Sequence, residues 1–180
     1  MDQVSGFGCN NFNFAVYIGN RPNMNEYSDL DDIRALTRGE INIINSACGN
    51  GWRKVFNVYA KVLFALEPTL FPYQKVEKTW QHYRDKHLLQ KDSKTALLFT
   101  TPRLNESKSN VGSHCIHIIC GKTYAKHLLN SNQFTAQFTW LHEEFAVDKK
   151  NRLIVCPYFD YRQLSNSKIE KLAALIKEMK

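Results

Sequence analysis

Apolar residues along the chain fall into two kinds of pattern: short unbroken runs, and one long stretch at helical spacing. The segment Phe14-Ala-Val-Tyr-Ile18 is almost continuously apolar, as a strand covered on both faces requires, and it stops at Gly19. Residues 95–100 and 115–120 are two further short runs, rich in β-branched or aromatic side chains, and they predict interior strands. Between them and the first run, Trp52, Val55, Phe56, Tyr59, Val62, Leu63 and Leu66 recur at the spacing of a helix with one broad buried face. Pro68 and Pro72 break that pattern, and a more polar helix is expected over residues 75–87.

The remaining elements rest on shorter signals. Ser28, followed by Asp31, resembles a capping arrangement for a helix running to about Arg38, with Gly39 ending it. Residues 121–129 have helical character directly after an expected strand, and residues 138–156 read as a hairpin about the polar Asp148-Lys-Lys-Asn-Arg152. Ser167 with Glu170 caps a last amphipathic helix, whereas residues 1–13, dominated by Asn, Gly and Phe, read as an irregular arm. Strands alternating with helices predict a three-layer α/β/α architecture with a mostly parallel central sheet. With 180 residues, 43% of them hydrophobic, the chain suits one domain spanning residues 1–180.

Composition narrows the class of protein. No segment approaches the roughly 20 apolar residues that span a bilayer, and the start of the chain lacks the basic region and long apolar run of a secretory signal. The expectation is a cytoplasmic protein without a membrane partner. Five cysteines, odd in number, widely spaced and without a CxxC pair, indicate neither a disulfide framework nor a zinc ribbon and read as reduced thiols. A net charge of +7 attracts polyanions, nucleic acid among them, although Lys168, Lys171, Lys177 and Lys180 sit where an ordinary solvated helix face would.

Candidate chemistry lies behind the strands. A polar or Gly/Pro-containing segment follows each expected strand: Gly19-Asn-Arg-Pro22, Thr100-Thr-Pro-Arg103, Gly121-Lys-Thr123 and Pro157-Tyr-Phe-Asp-Tyr-Arg162. Open α/β sheets bind ligands in the crevice beyond the C-terminal strand ends, so Asn20, Arg21, Thr100, Arg103, Lys122, Tyr158 and Arg162 are the candidate ligand-binding residues. Ordinary turn chemistry is the alternative reading of the same segments.

Taken in order, these motifs resemble those of the uracil-DNA glycosylase superfamily. Ile18-Gly-Asn-Arg-Pro22 looks like its first-strand motif, Val55-Phe-Asn-Val-Tyr-Ala-Lys-Val62 its following helix, and Leu97-Leu-Phe-Thr-Thr101 its next strand. Ile119-Cys-Gly-Lys-Thr-Tyr-Ala-Lys126 is similar to the next strand-to-helix turn, and Cys156-Pro-Tyr-Phe-Asp-Tyr-Arg162 stands where the family has a His-Pro-Ser motif on a minor-groove loop. The family's water-orienting Asp aligns with Arg21, its uracil-reading Asn with Thr100, and its leaving-group His with Cys156. Guanidinium stays protonated and is no base, so the resemblance implies the fold without base excision. A nucleobase, nucleotide or nucleic acid is then the expected ligand, with Tyr158, Phe159 and Tyr161 available for stacking and no cofactor.

Other motifs offer less. Gly121-Lys-Thr123 resembles the end of a phosphate-binding P-loop, but Ile116 occupies the place of the required first Gly. In a strand, His114 and Cys120 face opposite to Cys115 and His117, so His114-Cys-Ile-His-Ile-Ile-Cys120 builds no local metal cage, and no metal is expected. A different class of function remains open: a hydrolase or transferase using Cys156, Asp160 or His142 in the same crevice. So does a protein-interaction scaffold whose rim is merely polar surface.

Overall fold

The apolar run at 14–18 becomes β2 (Phe14–Tyr17), every residue of which is buried. The computed structural model describes residues 3–104, 114–132 and 134–179; residues 1 and 2 of the expected arm and Lys180 lie outside them. β2 is flanked by β4 (Thr95–Leu98) and β5 (Ile116–Cys120), and β5 by β8 (Leu153–Cys156), all three pairs parallel. Beyond β4 lie β1 (Gly6–Gly8), antiparallel to it, and β3 (Ile33–Arg34). Beyond β8 the chain turns back as β7 (Phe145–Asp148) and β6 (Thr139–Leu141), both pairings antiparallel. One mixed sheet of eight described strands results, in the order β3-β1-β4-β2-β5-β8-β7-β6.

The register of these pairs aligns the strand ends. Tyr17 lies beside Leu98 and Ile119, and Cys120 beside Cys156. The four parallel strands therefore end almost level, and the segments after them leave from one edge of the sheet.

Helices cover both faces. Phe14, Val16, Ile118, Ile154 and Cys156 point to the face packed by α3 (Asn50–Ala65), whose Val55, Phe56, Tyr59, Val62 and Leu63 are fully buried. Burying each such side chain is worth roughly 1.5–3 kcal/mol. The Tyr59 phenol donates to the Ala96 carbonyl at 2.8 Å and reaches the Phe14 carbonyl at 3.4 Å, which ties the helix to two strands. α6 (Asn166–Lys177) joins this layer through Ile169, Leu172 and Ile176. On the opposite face Ile119, Leu153 and Val155 meet Ala125 and Leu128 of α5 (Lys122–Asn130).

Several expected elements differ. The arm at 1–13 contains β1, which has only Phe7 as an apolar side chain and is held by backbone pairing to β4. The helix expected from Ser28 to Arg38 is instead a single turn, α1 (Asn25–Ser28), followed by β3. Ser28 ends that turn, its hydroxyl donating back to the Asn25 carbonyl at 2.8 Å. Gly39, with φ of +90°, opens a helix rather than closing one: α2 (Glu40–Cys48) starts there. The polar helix at 75–87 is split into a 3₁₀ turn at Pro72–Lys75 and α4 (Trp80–Lys86), because Thr79 caps the latter by accepting from the His82 N–H at 3.2 Å. The last helix starts after Ser165, whose hydroxyl is paired with that of Ser167, so Ser167 is not its cap.

Glu40 fixes the start of α2. Its carboxylate is buried, accepts from the Tyr27 phenol at 2.7 Å and from the Thr37 N–H at 2.8 Å, and pairs with Arg34 at 2.9 Å. These bonds hold its pKa below the ordinary value despite burial, which works to raise it. Glu40→Gln keeps the shape but removes the charge that four donors, the Thr37 hydroxyl among them, address, and should cost about 1–2 kcal/mol, read as a lower urea midpoint at unchanged slope.

Candidate functional site

Among the described residues, the level strand ends leave two hollows at that edge. The larger, about 970 Å³, is lined by residues from the ends of β2 and β4 and from α5, including Ser5, Arg21, Asp31, Phe99, Thr100, Arg103 and Leu128. The smaller, about 680 Å³, lies over the ends of β5 and β8 and includes Asn20, Lys122, Glu143, Glu144, Tyr158 and Gln163. Gly19, Tyr124 and His127 line both. The partition is the Tyr124 ring packed on Gly19: a Cβ at Gly19 would stand 2.9 Å from ring carbon Cδ2. Gly19 is what lets the ring lie there.

The expected residues are thus divided. Arg21, Thr100 and Arg103 line the larger hollow, while Asn20, Lys122 and Tyr158 line the smaller. Arg162 lines neither: its guanidinium is turned onto Asp160 of its own loop at 3.1 Å. Phe159 is fully buried and offers no face for stacking, whereas Tyr161 is 57% exposed.

Arg21 is held on every side. Its Nη1 donates to the Leu30 carbonyl at 3.0 Å and to that of Ser28 at 3.2 Å, Nη2 donates to Ser5 Oγ at 2.9 Å, and the group lies 5.5 Å from the Phe99 ring centroid. Arg21 is thus a cation that organises the loop after α1. Thr100 Oγ1 is buried against the larger hollow without a hydrogen-bond partner among the described residues. In the smaller hollow the Tyr158 phenol donates to Asn20 Oδ1 at 3.2 Å, and burial raises its pKa. Lys122 Nζ sits 5.6 Å over the ring of Trp140, which is 38% exposed on β6.

The reactive groups of the hydrolase reading are poorly placed for chemistry. Cys156 is fully buried, its thiol donates to the Pro157 carbonyl, and burial pushes its pKa well up. Neighbouring Cys120, also buried, is pushed up to about 12. Asp160 is held far below the carboxylate range, first by Arg162 and also by Lys54, whose Nζ lies 2.9 Å away, so it is a structural anchor for the loop after β8. His142 is exposed at positive φ in the turn between β6 and β7. All five cysteines are free thiols, and Cys120 and His117 do project to opposite faces of the sheet. Among the described residues no cluster of three or more His, Cys, Asp or Glu could hold a metal, and no helix is long and apolar enough to cross a membrane.

Sequence reading missed Tyr124 and His127, the shared wall, although their i, i+3 spacing places them on one face of α5. It also missed Trp140, Glu143 and Gln163, which come from the antiparallel end of the sheet and from the loop before α6. No curated protein and no solved structure matches this chain. A family of unknown function, DUF6942, matches residues 5–177, nearly the whole chain, and the protein belongs to that family.

Proposed function

We propose that this rim binds a nucleobase-bearing ligand, whether nucleobase, nucleotide or nucleic acid, on a domain resembling the uracil-DNA glycosylases and without base excision. One observation carries the reading: two hollows, each with polar side chains in its lining, open at the aligned ends of parallel strands and share the Tyr124 wall. A base and the phosphate attached to it are two chemically different bodies, and paired compartments suit them. Asn20, Gln163 and Tyr158 offer hydrogen-bonding groups for a base edge, and exposed Trp140 beside Lys122 offers a stacking face. Excision is left out because Arg21 cannot serve as a base and Cys156 is sealed from the rim.

The test is fluorescence anisotropy with labelled single-stranded and duplex oligonucleotides and with labelled nucleotides, at low and raised salt. Binding should weaken as salt rises, and Lys122→Ala should reduce affinity about tenfold, with little effect on stability because the lysine head group lies at the surface. Absence of binding to every probe at low salt would overturn the reading. Release of free base from any probe would overturn its non-catalytic half.

A further inference from the structure

We infer that the smaller hollow is a slot for one planar heteroaromatic ring, which lies between the side chains of Tyr124 and Tyr158. The inference rests on the nucleobase reading of the rim and gives the base its place there, in a clamp made of two tyrosines and two glycines.

The register of the sheet builds the slot. Tyr17 lies beside Ile119, so Gly19 and Gly121, two residues further on, stand next to each other where β2 and β5 end. Each glycine is met by a ring from the connection that follows the next strand of the sheet. Tyr124 of α5 packs on Gly19, where a Cβ would stand 2.9 Å from the ring carbon Cδ2. Tyr158, in the loop after β8, borders Gly121, where a Cβ would stand 3.7 Å from its Cδ2. Both glycines and both tyrosines line the smaller hollow. With no side chain on either glycine, the floor between the rings is bare backbone, and a flat ligand can approach it closely.

Edge groups and charge fit the same body. The Tyr158 phenol donates to Asn20 Oδ1 at 3.2 Å, and that bond orients the Asn20 amide so that its N–H groups can meet an acceptor on the edge of the ring. Lys122 and Glu143 line the hollow, and Glu144 beside them is paired with Lys168 at 2.7 Å, so two lysines offset two carboxylates. Such a balance exerts little net pull on a phosphate and suits an uncharged base. Stacking on aromatic faces tolerates any base, because every base has a π-face, so the slot selects for a flat ring rather than for one sequence letter.

Calorimetric titration of the full chain with adenosine, guanosine, cytidine, uridine and ribose phosphate tests this, together with the emission of a fluorescent aminopurine riboside. At least one nucleoside should bind about tenfold more tightly than ribose phosphate, and the aminopurine should be quenched on binding, as a stacked base is. Tyr124→Leu and Tyr158→Leu keep apolar bulk but remove the ring, and each should weaken that nucleoside about tenfold. Tyr124→Phe retains the ring and should stay within about twofold of the unaltered chain. Should a leucine variant fail to fold, Trp140→Ala decides: quenching retained in it places the base in the slot, and quenching lost places the base on the exposed indole and overturns the inference. Nucleoside affinity untouched by both leucine substitutions would likewise overturn the slot while leaving the nucleobase reading in place. No binding of any base-bearing probe, or ribose phosphate bound as tightly as every nucleoside, would overturn both.

Discussion

Gly8→Ala should unfold the β1 edge of the sheet and lower stability by about 3–5 kcal/mol. Gly8 lies at φ of +125°, and an added Cβ would sit 2.1 Å from the Thr95 carbonyl oxygen and 2.7 Å from the Ala96 Cα. Both obstacles are main chain of β4, so no side-chain rotation relieves them. Backbone strain and overpacking each carry roughly 1–3 kcal/mol, and here they act together. Gly39→Ala is the control: its φ is +90° but nothing lies within 4 Å, so strain alone should cost about 1 kcal/mol. Chemical denaturation of the two variants measures the difference, and equal midpoints would refute the close-approach account. The loss should extend to the rim, because Ser5, which steadies Arg21, precedes β1 and its carbonyl accepts from the Phe99 N–H at 2.9 Å.

Acidification should destabilise the protein through His117. This imidazole is buried on the sheet face opposite α3 and shares a 2.8 Å hydrogen bond with the Tyr17 phenol. Burial lowers its pKa from 6.5 to about 4. The unfolded chain therefore takes up the proton first as pH falls. Stability from this residue is fully present above about pH 6.5 and is lost between there and pH 4, to a total of about 3 kcal/mol. His117→Gln, which does not titrate, should be less stable at neutral pH but flatter with pH, and subtracting the two stability profiles isolates the residue. Parallel profiles from pH 7 to pH 4 would show that His117 is not kept neutral by the fold.

How much of the fold is legible in the sequence depends on where each determinant lies. β2, β4, β5, β8 and α3 are legible because their burial is written as continuous or 3.6-periodic apolar residues. β1 is not: a Gly-Phe-Gly strand carries one apolar side chain, and its glycines answer to the backbone of β4 rather than to a core. α2 is hidden by its composition, with Ile41 and Ile44 buried but Ile43 58% exposed amid asparagines. Placing Asn20, Thr100, Lys122 and Tyr158 at one edge requires only the strand-helix alternation. Their division into two hollows requires more, since it depends on a ring of α5 meeting a glycine far away in the chain. Arg21 and Arg162 cannot be read as engaged because their partners, three peptide carbonyls and a carboxylate two residues away, leave no mark in a pattern of side-chain types.

The outermost described strands of the sheet are short, two residues in β3 and three in β6. A neighbouring molecule seeking to add a strand would find only a few unpaired amides on either border, and on the β6 side a lysine lying across the exposed indole. Short edge strands of this kind offer little template for the edge-to-edge pairing of copies that leads to fibrils.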